Sequence, residues 1–393
     1  MVTRLRNESS LVDAGAAARR IRNWGEAREW CGWDPYDALN SPAAHVLTLG
    51  TSLGRRLMLQ AVKLSPFNLR PVLGIRPERN HKAIGLVASA YTSLAAAGDE
   101  SASAHATRWL DWLERRHVGG EAGYAWAYHF DVQTRFFAYP AGSPNTIATV
   151  FVAHAFLDAA ERLSDSGRIE PAVRAAEFLV DRMLVDADHG LYFRYIPDDD
   201  KVIHNCNLLA CATLARASAL AGRPDLQEIA ARGVATSLQA QRPDGSWPYS
   251  DWYGQSWVDN FHTGYVLESL AACTSFQDVR DALERGVAFW QHRLFLPDGT
   301  PKYFPDRAGP RDSHCYAQAI DTWLALNEIG LGDLDHAEQV AFLLIRDMLR
   351  GNGSVIFQRR GLYASRVSYV RWSAAPAFRA LARLALAQGR ASN

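Results

Sequence analysis

Four stretches of the chain concentrate side chains that can pass protons or hold a polar ligand, and no packing argument demands them. Residues 128–146 supply Asp131, Arg135 and Tyr139; residues 250–265 supply Trp257, Asp259, Asn260 and His262. Residues 302–323 add Tyr303, Asp306, His314 and Gln318, and residues 368–373 add Arg371 and Trp372. Aromatic faces mixed with arginines, carboxylates and amides suit a sugar, because a pyranose is apolar on its faces and hydroxylated round its rim. For proton transfer at a carbon beside a carboxylate, Arg135 or Arg371 would grip that carboxylate through two bonds and steady the enolate-like state. Tyr303, His262 or His314 would then carry the proton, with Asp259 and Asp131 as further catalytic candidates. Tyr139, Trp257, Asn260, Asp306, Gln318 and Trp372 complete the substrate-binding set.

That equipment fits a uronate epimerase or lyase. A glycoside hydrolase would need two carboxylates instead, about 5 to 5.5 Å apart for retention or about 6.5 to 9.5 Å for inversion; Asp131, Asp251, Asp259 and Asp306 are the candidates. A third reading is a glycan-binding or scaffold subunit without turnover. Terpenoid cyclisation or prenyl transfer is disfavoured, since neither DxDD nor DDxxD occurs. The absence of HExxH, paired CxxC, a Gly-rich dinucleotide loop and a phosphate-binding loop leads us to expect no cofactor and no metal.

The elements that would position these residues repeat along the chain. A turn glycine followed three or four residues later by an aromatic recurs as Gly123–Trp126, Gly190–Phe193, Gly245–Tyr249, Gly299–Tyr303 and Gly353–Phe357. Each is followed by an irregular loop and then an apolar run of helical period, with junctions near Asn145, Asn205, His262, His314 and Tyr369. The spacing is about 50 to 60 residues, that of a helical-hairpin repeat. An earlier copy without the glycine follows Asn80, which makes six hairpins. The predicted fold is therefore all-α: an (α/α)6 toroid with short β-hairpin loops. Residues 1–393 form one domain, with 1–45 as a helical extension packing on the ring. Equivalent loops fall at one end of such a ring, so the four stretches should meet in one cleft.

Bland readings hold for several residues. The repeat explains its glycines and aromatics as turn and packing residues. His154 and Asp158 sit inside a helical run and read as core. Gln318 and Asp321 lie one turn apart and suit a bridge between helices, and Asp198, Asp199 and Asp200 suit a solvated turn. Composition narrows the rest: 48% hydrophobic and 21% charged residues exclude disorder, and zero net charge gives no broad footprint for nucleic acid. The first thirty residues lack the apolar core of a secretory signal, and the longest apolar run, 147–160, is too short to span a bilayer of about 20 residues. Five scattered cysteines suggest neither disulfides nor zinc. A cytoplasmic protein acting on a saccharide or polysaccharide is expected, and nothing in the sequence indicates an oligomeric state.

The segments WDPYDALNSP (33–42), NLRPVLGI (68–75) and FDVQTRFFAYPAGSPNT (130–146) together resemble a bacterial family of polysaccharide-biosynthesis proteins, described as VpsJ-like or prenyltransferase-like helical toroids. The resemblance covers nearly the whole chain and implies a part in making capsule or exopolysaccharide. More distantly, the toroid is similar to glucuronyl C5-epimerases, unsaturated-uronide hydrolases and some polysaccharide lyases, as an analogy of fold.

Overall fold

A computed structural model describes residues 12–134, 136–361 and 363–391. Fourteen α-helices account for most of these residues: α1 (Ala14–Glu26), α2 (Ala44–Thr48), α3 (Ser52–Leu64), α4 (His81–Ala96), α5 (Glu100–Glu114), α6 (Thr146–Arg162) and α7 (Ile169–Phe178), followed by α8 (His204–Ala221), α9 (Pro224–Gln239), α10 (Asn260–Ala271), α11 (Val279–Arg293), α12 (Ser313–Glu328), α13 (Leu334–Asp347) and α14 (Ala375–Ala391). Helices α4, α6, α8, α10, α12 and α14 pack side by side in that order, and α14 returns to α4, closing a ring. Outside them stand α5, α7, α9, α11, α13 and α1, one against each inner helix. The molecule is thus an (α/α)6 toroid.

Sequence composition dictates which helix goes where. In α4 every residue from Lys82 to Leu94 is buried, so this helix carries no polar face and belongs inside. In α5 the buried residues are Ala102, Ala106, Trp109, Leu110 and Leu113, a single stripe at helical spacing with a solvated back. Small residues let the inner helices approach closely: a Cβ on Gly85 would stand 2.8 Å from the Phe151 carbonyl oxygen of α6.

The repeated glycine turns pin the ring together. Gly245 has φ +89°, and a Cβ there would lie 2.4 Å from the Arg285 carbonyl of the next outer helix. Gly123 and Gly353 press in the same way against Arg174 of α7 and Arg20 of α1. At two of these turns a following tryptophan ties the turn back to the helix before it. Trp126 Nε1 donates to the Leu113 carbonyl (2.9 Å) and Trp247 Nε1 to that of Ser237 (2.8 Å). These aromatics are packing and capping residues.

Three small antiparallel sheets decorate the loop end: β1 (Val132–Gln133) with β2 (Ala138–Tyr139), β3 (Leu184–Ala187) with β4 (Gly190–Phe193), and β5 (Arg311–Asp312) with β6 (Gln358–Arg360) and β7 (Tyr363–Ser365). The segment between α1 and α4 lies over this end, held by fully buried Arg70. Its guanidinium donates to Asp37 Oδ1 (2.6 Å), the Asp34 carbonyl (2.7 Å) and Tyr369 Oη (3.0 Å). At the other end the ring is plugged by ions: Asp321 and Glu268 share Arg379 and Arg383, and Asp158 pairs with Arg216 (2.8 Å). Asp158 and Asp321 are thus structural, and Gln318, expected at the ligand, joins the plug by donating to Glu268 Oε2 (2.8 Å). Among the described residues no helix is long and apolar enough to cross a membrane.

Candidate active site

At the loop end the inner helices begin around a cavity of about 360 Å³, within the range of small-molecule sites (about 300 to 1,000 Å³). Side-chain caps start these helices at the rim. Asn145 Oδ1 accepts from the Ala148 amide (2.8 Å), and Asp259 Oδ1 accepts from that of His262 (3.0 Å). The last inner helix enters through a π-turn, Val370–Ala374, which carries Arg371 and Trp372.

Of the residues expected from the sequence, Tyr139, Trp257, Asp259, His262, Tyr303, His314, Arg371 and Trp372 line this cavity. Four described ones do not. Asp131 accepts from Arg55 Nη2 (2.8 Å) and the Ala141 amide (2.9 Å), holding the overlying segment to its loop. Asn260 donates to the Leu294 carbonyl (2.7 Å) and accepts from Trp290 Nε1 (3.1 Å), so its amide is spent on outer-helix packing. Asp306 stands in solvent beside Arg307, and Gln318 belongs to the plug. Arg135 lies outside the described residues. Asp251, a hydrolase candidate, sits outside the cavity against His204. Asp259 is the one carboxylate among the described lining residues.

Two histidine units face this space. In the first, His262 Nδ1 lies 2.6 Å from Asp259 Oδ2. A carboxylate accepts, so Nδ1 is the donor in this contact and Nε2 is the nitrogen turned away from it. Trp257 Nε1 also donates to Asp259 Oδ2 (3.2 Å), and Tyr249 stacks on Trp257 with ring centroids 4.5 Å apart. In the second, His314 Nδ1 lies 3.0 Å from the Trp372 carbonyl, which can only accept. Burial drives the His314 imidazole well below its ordinary value, with the Lys82 charge adding to the effect. The neutral ring therefore accepts at Nε2 from Tyr265 Oη (2.7 Å). Phe261 lies between the units, its centroid 4.0 Å from that of His262 and 5.1 Å from that of His314.

The sequence reading missed the groups behind this second unit. Lys82 Nζ stands 3.4 Å from Tyr265 Oη and 3.9 Å from the centre of the Phe151 ring. Burial first, then Arg371, pull the Lys82 amine well below its usual range. A lysine inside the otherwise apolar run of α4 was the available signal. Asn205 also lines the cavity, and its buried Oδ1 has no hydrogen-bond partner among the described residues. Arg371 is not a free fork: Nε and Nη2 engage both oxygens of Asp34 at 2.5 and 2.7 Å. Burial raises the Tyr303, Tyr139 and Tyr195 phenols well above their ordinary value, so they stay protonated and act as neutral donors or acceptors. Among the described residues no group of three His, Cys, Asp or Glu is arranged to hold a metal.

No protein-family model matches the chain, and no curated protein matches it in sequence. Solved structures do match in fold. A GH76 alpha-mannanase of Bacteroides thetaiotaomicron superposes with a TM-score of 0.62 at 13% identity, covering 80% of this chain and 88% of its own. The cellobiose 2-epimerase of Bacillus thermoamylovorans gives 0.59 at 10% identity, over 78% and 87%. An unsaturated glucuronyl hydrolase specific for heparin gives 0.57 at 16% identity, over 78% and 86%. These are toroids built as this one is.

Proposed function

We propose that this protein is a sugar-processing enzyme that acts by proton transfer at carbon, as an epimerase or an eliminating lyase. The observation that carries the reading is the pair of histidine units on one aromatic-walled cavity, one oriented by Asp259 and the other by Tyr265. His262 Nε2 takes a proton from a carbon beside a carbonyl or carboxylate, and the electron pair of that C–H bond moves onto the neighbouring oxygen. Buried phenols such as Tyr303 donate hydrogen bonds to this oxygen where its charge develops. Return of a proton to the opposite face, from the Tyr265 hydroxyl with that proton replaced from solvent, inverts the centre; departure of a β-substituent instead completes an elimination. Asn205 and the phenols offer partners to ring hydroxyls, and the tryptophan and phenylalanine faces offer surface to the ring itself. With Arg371 bound to Asp34, the wall supplies no free guanidinium among the described residues, so the cavity suits a neutral sugar at least as well as a uronate. A two-carboxylate hydrolase fits this lining poorly, because Asp259 has no carboxylate opposite it among the described residues.

The resemblance to polysaccharide-biosynthesis proteins favours a substrate on the way to capsule or exopolysaccharide. The fold likeness to sugar epimerases supports the class of reaction. Incubation of a sugar panel with the protein in deuterated water, followed by NMR, tests the proposal. Deuterium at a stereogenic carbon, or a new unsaturated product, is expected. Binding without exchange, elimination or cleavage across the panel would leave the glycan-binding alternative.

A further inference from the structure

Twelve large apolar side chains of the described residues are exposed, and nine of them lie between Val46 and Val72. Leu49, Phe67 and Val72 are 84%, 74% and 87% exposed. Within α3, Leu59 and Val62 face inward while Leu53, Leu57 and Leu64 face solvent, so this helix is apolar on two sides and partnered on one. Isolated exposed leucines carry no message, but a contiguous group marks a surface that binds something.

Charge says what. From Ala38 to Pro77 the chain has no Asp or Glu and five Lys or Arg. Arg70 and Arg55 are taken by Asp37 and Asp131. Arg56 donates only to the Ser52 carbonyl and Lys63 to Tyr36 Oη, and Arg76 stands exposed. The β6–β7 hairpin joins this surface through Tyr363 Oη, which donates to the Leu64 carbonyl (2.7 Å). It contributes Arg359 and Arg360, bonded to neutral oxygens, and exposed Arg366 follows it. The apolar group is thus rimmed by cations that have no carboxylate partner among the described residues.

We infer that α2, α3 and their flanking loops form a membrane-surface anchor. The apolar side chains enter the headgroup and acyl boundary of a bilayer, and the basic rim meets anionic lipid phosphates. A second copy of the chain is a poorer occupant, because a twofold contact would set the rim against itself, cation on cation. The anchor borders the cavity: Lys63 Nζ stands 4.4 Å from the centre of the Tyr36 ring, and Tyr36 is a wall residue. Docked this way, the cavity meets saccharides carried on lipids at the membrane surface. That choice of substrate rests on the sugar reading above; the anchoring does not.

The test is flotation of the full chain with vesicles in the absence of any sugar, so it is independent of catalysis. Binding is expected to phosphatidylcholine vesicles containing phosphatidylglycerol, to weaken on raising salt, and to be weaker on phosphatidylcholine alone. Leu53→Ser with Leu57→Ser should lower partitioning at least about tenfold. Arg56→Glu with Arg76→Glu should also lower it, and both variants should keep the wild-type circular dichroism and melting, since all four side chains are outside the core. Failure to float on anionic vesicles, or flotation indifferent to both variants, overturns the inference. So does a wild-type dimer in sedimentation that the leucine variant dissolves while vesicles are not bound.

Discussion

Asp259→Asn separates the catalytic role of this carboxylate from its structural one. Asp259 is 3% exposed and does two jobs: Oδ1 caps α10 through the His262 amide, and Oδ2 accepts from His262 Nδ1 at 2.6 Å. Asparagine caps a helix as well as aspartate does, so the fold should lose little. What disappears is the negative charge that holds the ring tautomer and steadies the imidazolium formed when Nε2 takes a proton. A hydrogen bond to a charged group contributes about 1.5 to 3 kcal/mol. If that stabilisation belongs to the transition state, kcat falls roughly tenfold to 150-fold. The assay is the rate of deuterium wash-in by NMR, with thermal melting as the control for folding. A cycle with His262→Gln sharpens it: Asp259→Asn should cost almost nothing once the imidazole is gone. Wild-type exchange in the single variant, or an undiminished further loss in the double, would refute the pairing of the two residues in catalysis.

Three other outcomes follow from the ring itself. Gly245→Ala forces a left-handed φ on alanine and drives its Cβ into the Arg285 carbonyl, so denaturant unfolding should show a loss of at least about 2 kcal/mol. Burial pushes the Glu268 carboxyl up, but Arg379 and Arg383 outweigh it and hold it down at about 2. Its contribution is therefore full above the ordinary glutamate range and lost as pH falls toward 2; Glu268→Gln should cost about 3 to 5 kcal/mol at neutral pH and blunt the acid limb of a stability profile. Asp312 behaves oppositely: burial lifts it to about 6 despite bonds from Gln358, the His314 amide and Trp372. Its stabilisation is present below about pH 4 and lost as pH rises through 6, so Asp312→Asn should flatten that window and restore at most about 3 kcal/mol at neutral pH.

The helices were legible because their apolar periods are long and the turn glycines before them recur about every 50 to 60 residues. The clusters that meet at the cavity stood out in the sequence because Trp257, His262, His314 and Trp372 have no packing duty that their local sequence announces. Asn260 misled for a physical reason: an amide at the start of an inner helix serves equally well to bond a neighbouring helix or a ligand, and sequence does not say which neighbour arrives; for Gln318 the bridge between helices, one of its two readings, is the contact found. Lys82 and Tyr265 were hidden because the wall of the cavity and the core share one helical period. The Arg371–Asp34 pair joins residues 337 positions apart, a distance no local pattern bridges.

The closing pair of the ring is made from opposite ends of the chain: α1 packs on α14, Gly353 presses on Arg20, and Gln388 Nε2 reaches the Val12 carbonyl across 376 positions. Five hairpins can therefore assemble as they leave the ribosome, each from neighbouring sequence, whereas the sixth waits until α14 has been made. Until then the buried stripe of α1 (Ala14, Ala17, Ala18, Ile21) has no partner. Folding of this toroid should thus show a fast local phase and a slower one set by closing the longest loop in the molecule. Weakening the α1–α14 seam would loosen the sixth hairpin while leaving the other five intact.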